Sequence, residues 1–299
     1  MKVLNFGSLN YDNVYSVEHI VKPGETISSA KLELFCGGKG LNQSVALARA
    51  GAAVYQAGLV GPDGSLLLDA CKENGIDCGY IRTVAEKTGH AVIQVSETGQ
   101  NSIVLFGGAN RQNTKEFVDL VMEDFGEGDL ILLQNEINLV DYIIEQAYRK
   151  KMRIALNPSP FDSSLSACDF SKVSIFLINE IEGAQITGES EPERILNAML
   201  SRYPQAKVVL TLGKSGVVYR DKEHKYMHGT YRVNAVDTTA AGDTFTGYFL
   251  ESYLNGNTVP EALRVASLAS SIAVSKKGAS ASIPYRADVL ESRLEPMQN

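Results

Sequence analysis

The sequence predicts an α/β fold, with a mostly parallel central sheet carrying helices on both faces and a small β lid. From residue 112 onward, strand-like apolar runs alternate with helical periodicity, the pattern of a parallel sheet covered on both sides. Before that point four β-like pieces do not alternate with helices, which assigns them to a separate small sheet. With 299 residues, 44% of them hydrophobic, the chain can bury a large core, and it shows neither internal repeats nor a low-complexity linker. A single domain over 1–299 is therefore expected, its lid formed from about 11–36 and 87–106.

Val3 to Phe6 reads as a short buried strand ended by Gly7, and Lys39 to Ala50 as a helix with Leu41, Val45 and Ala48 at three-to-four spacing. Between and after them, Val14 to Val17, Leu32 to Phe35, Lys87 to Ser96 and Asn101 to Phe106 are the lid strands. The last two flank the turn Glu97-Thr98-Gly99-Gln100. A helix near 114–124, strand Asp129 to Leu133, helix near 138–150, strands Arg153 to Leu156 and Ser174 to Ile178, and helices near 180–202 follow. Strand Lys207 to Thr211 continues the alternation. Val217 to Tyr219 and Lys225 to Met227 form a hairpin, and long helices near 242–255 and 259–275 complete the series.

Composition narrows the function classes. A net charge of -7 without a basic stripe argues against a nucleic-acid partner. The N-terminus has too short an apolar run for a signal peptide and no segment reaches the length of a membrane span, so a cytoplasmic protein is expected. Cys36, Cys71, Cys78 and Cys168 form no C-x-x-C pair and fit reduced thiols. His224 and His228 lie on a strand-like stretch with no cysteine near, which disfavours zinc.

The stretch Asp237-Thr238-Thr239-Ala240-Ala241-Gly242-Asp243 is the most informative segment. Small residues leave backbone N–H groups open to an anion, and a helix starting near Gly242 aims its positive end at the same place. Asp243 could then accept a proton in phosphoryl transfer to a hydroxyl; equally, Asp and Thr are ordinary helix-capping residues. Gly37-Gly38-Lys39-Gly40-Leu41-Asn42-Gln43 begins like a dinucleotide fingerprint, but Gln43 stands where a last Gly or Ala is required, which disfavours a nicotinamide dehydrogenase. Gly213-Lys214-Ser215 ends like a phosphate-binding loop, yet Val208 occupies the first glycine position.

What is left at 37–43 is a glycine turn feeding a helix, with the Asn42 amide able to donate to and accept from a polyhydroxylated ligand. Asn10 and Asp12 follow the first strand and, by alternation, point the same way; Glu136 and Asn157-Pro158-Ser159-Pro160 fall at the same sheet edge. Asn179 and Glu182, three apart at a helix opening, could orient the water shell of Mg²⁺ or simply cap the helix. Thr211 to Gly216 is a strand-loop junction suited to a nucleotide, or a plain turn.

Together, Gly37-Gly38-Lys39-Gly40 with Asn42 and the distant Asp237 to Phe245 segment resemble the two signatures of the ribokinase (phosphofructokinase-B, PfkB) family of carbohydrate kinases. The likeness covers nearly the whole chain and implies a three-layer α/β/α sandwich with a β lid. It further implies an ATP-dependent kinase phosphorylating the primary hydroxyl of a pentose, D-ribose foremost. Asp243 matches the catalytic base, and Ala240, Ala241 and Gly242 the anion hole. Asn10, Asp12, Gly38, Lys39, Asn42 and Glu136 match the sugar site. Asn179, Thr211, Gly213, Ser215, Gly216, Gly242 and Ser267 match the ATP site, although Ser267 stands where such kinases often carry His or Asn. Mg²⁺ is implied near Asn179 and Glu182, and K⁺ near Asp237, Thr239, Ala273, Lys276, Gly278 and Ser282. A homodimer joined through the lids is implied as well. Cys36 and Phe106-Gly107-Gly108-Ala109-Asn110 depart from the commonest lid sequences, which leaves fructose, ketodeoxysugars and nucleosides as alternative substrates. From another class, the alternative is a non-catalytic sugar or nucleotide sensor.

Overall fold

In the computed structural model, which describes residues 1–297, the chain builds two sheets that meet along one cleft. The strands are β1 (Val3–Phe6), β2 (Asn10–Val17), β3 (Lys31–Gly37), β4 (Val54–Val60), β5 (Asp77–Thr83), β6 (Gly89–Ser96) and β7 (Asn101–Phe106), then β8 (Leu130–Gln134), β9 (Arg153–Asn157), β10 (Ile175–Asn179), β11 (Lys207–Thr211), β12 (Val217–Arg220) and β13 (Lys225–His228). The helices are α1 (Lys39–Ala50), α2 (Ser65–Glu73), α3 (Lys115–Met122), α4 (Val140–Arg149), α5 (Glu180–Thr187), α6 (Pro192–Arg202), α7 (Ala241–Leu254), α8 (Val259–Ala273) and α9 (Arg286–Glu291).

The large sheet runs β13-β12-β11-β10-β9-β8-β1-β4-β5 and is parallel except at β11–β12 and β12–β13. The expected hairpin is therefore the antiparallel edge of this sheet. Alternate residues of the central strands feed two cores. Val3, Leu130 and Leu132 pack with α1, α2, α7 and α8, while Leu4, Phe6, Ile131 and Leu133 pack with α3, α4, α5 and α6. Three layers result. Close approach of α1 and α7 depends on Gly247, where a Cβ would lie 2.4 Å from that of Ala46.

The small sheet, β3-β2-β6-β7, is the expected non-alternating set, with longer strands. Asn10 and Asp12 do not trail the first strand as turn residues; they open β2, because the chain leaves the large sheet at Gly7 and pairs at once with Gly37 and Gly89. The stretch 54–83, for which no element is expected from periodicity, supplies β4, α2 and β5 of the main sheet. Its strands carry Gln56, Gly58 and Gly79 in place of an uninterrupted apolar run, and Gly61 and Gly64 break the sequence between them.

Candidate active site

The cleft lies where the parallel strands end, at the carboxyl edge where ligands bind in open α/β sheets. Its volume is about 450 Å³, and Asn10, Asp12, Gly38, Lys39, Asn42, Glu136, Asn179, Glu182, Thr211 and Thr238 to Asp243 line it. Ala91, Ile93, Ile103 and Leu105 of the small sheet form its other wall. Residues expected from two ends of the sequence thus meet in one place. Gly213, Ser215, Gly216 and Ser267 do not line this cleft, nor do Ala273, Lys276, Gly278 and Ser282. Ser267 is buried on α8, and Gly213 to Ser215 form an exposed turn beyond β11.

Helix α1 enters from Gly38, whose φ of +88° and 3.0 Å from a would-be Cβ to Asn10 N admit only glycine. Its first turn has no side-chain cap of its own. Instead Glu136 Oε2 accepts from Lys39 N at 2.9 Å and from Ser8 Oγ at 2.5 Å, and Ser8 Oγ accepts from Gly40 N. This leaves Glu136 Oε1 for the cleft. Asn110 Nδ2 donates to Asn10 Oδ1 at 2.7 Å, while Asn110 Oδ1 accepts from Leu9 N, so Asn10 turns its N–H donors toward the ligand space. Ser8 and Asn110 were not among the expected site residues. A serine after a strand carries no sequence signal, and Asn110 stands only among the lid departures.

Asp243 occupies the first turn of α7, where Oδ2 accepts from Asn42 Nδ2 at 3.0 Å and Oδ1 from Gln43 Nε2 at 2.8 Å. The other amide oxygen, Asn42 Oδ1, is buried without a partner among the described residues. An orphaned acceptor on the wall of a cleft requires a donor from a ligand or water. Before α7, Ala240 adopts φ +60°, ψ +8°, and no side chain caps the helix. The N–H groups of Gly242 and Asp243 find no acceptor among the described residues. By contrast, α5 begins with a complete capping box. Asn179 Oδ1 accepts from Ile181 N and Glu182 N, and Glu182 Oε2 accepts from Asn179 N at 2.8 Å.

Four carboxylates, Asp12, Glu136, Glu182 and Asp243, share the cleft with one ammonium, Lys39. Burial, then Glu136, Asp243 and Asp237, push Asp12 up to about 7, against a smaller opposing pull from Lys39. For Lys39, burial alone would lower its pKa; Asp243, Glu136, Glu182 and Asp12 outweigh it and raise the value. Acceptors outnumber donors on the walls, which suits a ligand rich in hydroxyl groups. A polyphosphate in this cleft needs added countercharge.

The donors implied for the two ions fit them in part. Among the described residues no three His, Cys, Asp or Glu side chains converge on a metal site. The side-chain oxygens of Asn179 and Glu182 are all engaged in the capping box, Glu182 Oε1 accepting from Asn179 Nδ2 at 3.0 Å, so the pair would touch Mg²⁺ only through the waters it keeps. Asp237 is tied into a turn, accepting from Thr239 N at 2.9 Å and Gly278 N at 3.1 Å. The carbonyls of Asp237, Thr239, Lys276 and Gly278 accept no hydrogen bond among the described residues and so are free for a monovalent cation. Ala273 and Ser282 fit less well, since the Ala273 carbonyl already accepts from Lys276 N and Ser282 is fully buried with its hydroxyl on Ala279 O.

A cleft rich in acceptors, a carboxylate in the first turn of an uncapped helix and a three-layer α/β/α body suit a phosphotransferase acting on an alcohol group. A profile of the pfkB family carbohydrate kinases matches residues 1–286, and the chain belongs to that family. It is similar to ribokinase from Haemophilus influenzae, at 37% identity over 95% of this chain and 96% of that one. Similarity to the deoxyribokinase of Salmonella typhi is 31%, over 95% and 96%. Among solved structures, Arabidopsis thaliana ribokinase complexed with ribose and ATP superposes with a TM-score of 0.85 at 30% identity, covering 97% of both chains. The protein is an ATP-dependent sugar kinase of ribokinase-like fold.

Proposed function

We propose that this kinase converts D-ribose to D-ribose 5-phosphate, with Asp243 as general base. The sugar's primary hydroxyl gives its proton to the Asp243 carboxylate as its oxygen attacks the γ-phosphorus of ATP. The bond from that phosphorus to the β-bridging oxygen breaks, and ADP leaves. The free amides of Gly242 and Asp243, with Ala240 and Ala241 shaping the turn, stabilise charge on the transferred group. Mg²⁺ held near Asn179 and Glu182 would neutralise the phosphates, and K⁺ near Asp237 and Thr239 would support the anion hole. Asn10 donates to the sugar, while Asp12, Glu136 and Asn42 accept from it. Ile93, Ile103 and Leu105 cover the cleft and keep out water that would otherwise hydrolyse ATP.

One observation carries this reading: Asn42 donates to Asp243 while its own oxygen is buried and unpaired beside the cleft, which ties the base to a residue of the proposed sugar wall. The names of the relatives support ribose over fructose or a nucleoside. A panel of ribose, 2-deoxyribose, fructose and nucleosides, with and without K⁺, tests it. Ribose should give the highest kcat/KM, and 2-deoxyribose should fall roughly tenfold to a hundredfold below it, because a missing hydroxyl strands a buried acceptor. A nucleoside or fructose outpacing ribose would overturn the substrate; no turnover with any would favour a sensor. Leu32, Leu34, Val104 and Phe106 leave an apolar surface on the small sheet, and we assign it to pairing with a second copy. Sedimentation should give twice 32.4 kDa.

A further inference from the structure

Resting on Asp243 as the base, we infer that Gln43 and Gln134 are positioning residues, the end of a buried amide chain that aims two N–H donors at the base and its neighbour. The chain begins at fixed backbone acceptors. Gln56 Nε2 donates to the carbonyls of Gly7 and Ala57, at 3.1 and 3.0 Å, so its oxygen must face Ser44, whose hydroxyl donates to it at 2.6 Å. Ser44 Oγ in turn accepts from Asn5 Nδ2, which also donates to the Gly40 carbonyl at 2.7 Å. Asn5 therefore presents its oxygen to Gln134, whose Nε2 donates both to it at 2.9 Å and to Gln43 Oε1 at 2.7 Å. With its oxygen occupied, Gln43 can offer only donors at its other end. They reach Asp243 Oδ1 and Asn157 Oδ1, and Asn157 is itself set by donation to the Leu177 carbonyl.

Asn5, Gln43, Ser44, Gln56 and Gln134 are all fully buried, where water cannot substitute for a missing partner. The arrangement even leaves Gln134 Oε1 unpartnered, 2.2 Å from where a Cβ on Gly7 would stand. A core packed for stability alone would not keep this unsatisfied acceptor. Gln134 is the branch point, donating inward to Asn5 and outward to Gln43, and the outward link is what leaves Gln43 only donors to offer Asp243. Around Asp243 the other charged groups of the cleft are Lys39 on α1, Asp12 on β2, Glu136 beyond β8 and Glu182 on α5, none of which touches this chain of amides.

Gln43→Met keeps side-chain length and removes the donors. It should lower kcat about tenfold to a hundredfold, as small misplacements of catalytic groups do, with KM for sugar and ATP within about twofold. In an Asp243→Asn background the same change should cost less than about twofold, since the group it acts through is gone. An equal cost in both backgrounds, or parental kcat in Gln43→Met, would overturn the inference. Should Gln43→Met fail to fold by circular dichroism, Gln134→Met replaces it, with a loss in kcat of a few fold that also vanishes beside Asp243→Asn. Parental kinetics there would overturn it equally. An Asp243→Asn enzyme at the parental rate removes the base itself and the inference with it. That result is distinct from one in which Asp243→Asn loses activity and the glutamine variants do not.

Discussion

Helices α5 and α7 begin at the rim of the same cleft and are finished in opposite ways. At α5, Asn179 and Glu182 satisfy each other's backbone through a capping box, and the helix end is chemically closed. Helix α7 starts from a left-handed Ala240 with no side-chain cap, so its first amides point outward unspent. Stability alone favours the first arrangement, since a good cap contributes about 1 kcal/mol. An end left uncapped beside a positioned carboxylate is an end open to an anion. The comparison separates a helix start held by its own side chains from one whose amides are free for the proposed chemistry.

The sharpest way to break that contrast is Asp243→Asn. Loss of a positioned general base should lower kcat by about 10²–10⁴ with the melting temperature little changed, measured by coupled ADP release. Activity at the parental rate would make α7 no more chemical than α5.

Asp12 tests the charge crowding that faces α7. Its value is raised to about 7, so the folded state holds a proton that the unfolded chain releases near pH 4. This contribution to stability is full below about pH 4 and is lost as pH rises through about 7. Asp12→Asn should therefore gain up to about 4 kcal/mol over the parent above pH 7, and the difference should vanish near pH 4 in urea unfolding. A constant difference across this range would mean that the crowding is absent.

On the capped side, Asn179→Ala should cost about 1 kcal/mol, a fall of about 2–4 °C in melting temperature, with kcat reduced less than tenfold. A larger fall in kcat would move α5 from scaffold to chemistry. The smallest effect belongs to Ala240→Gly. Glycine relieves the left-handed strain and should raise stability by up to about 1 kcal/mol in thermal unfolding.

The two helix starts also measure how far the sequence can be read. Asp237 to Asp243 and Gly37 to Asn42 stand out because unusual backbone needs leave unusual residues, and Thr238 to Asp243 meets Gly38, Lys39 and Asn42 in the cleft. Gln43 was legible only as the residue that spoils a dinucleotide fingerprint, yet it touches Asp243. Its partner Gln134 falls one residue beyond the expected strand Asp129 to Leu133, and Ser8 one beyond Gly7. These residues act through burial and through partners about a hundred or more positions away, which no local pattern encodes. The stretch 54–83 escaped for a different reason: its glycines and polar residues interrupt the periodicity that marks strands. Strands that begin on binding residues, as β2 does at Asn10, start earlier than their apolar run.

The bond from Asn42 to Asp243 spans 201 positions of sequence. A ribosome adding about 5–20 residues per second finishes the segment through Glu136 roughly 5–20 s before Asp243 is made. For that interval the nascent chain has neither Asp243 nor an α7 to pack against Ala46. Because Thr238 to Asp243 line the cleft, it can close only once the chain has been made as far as Asp243.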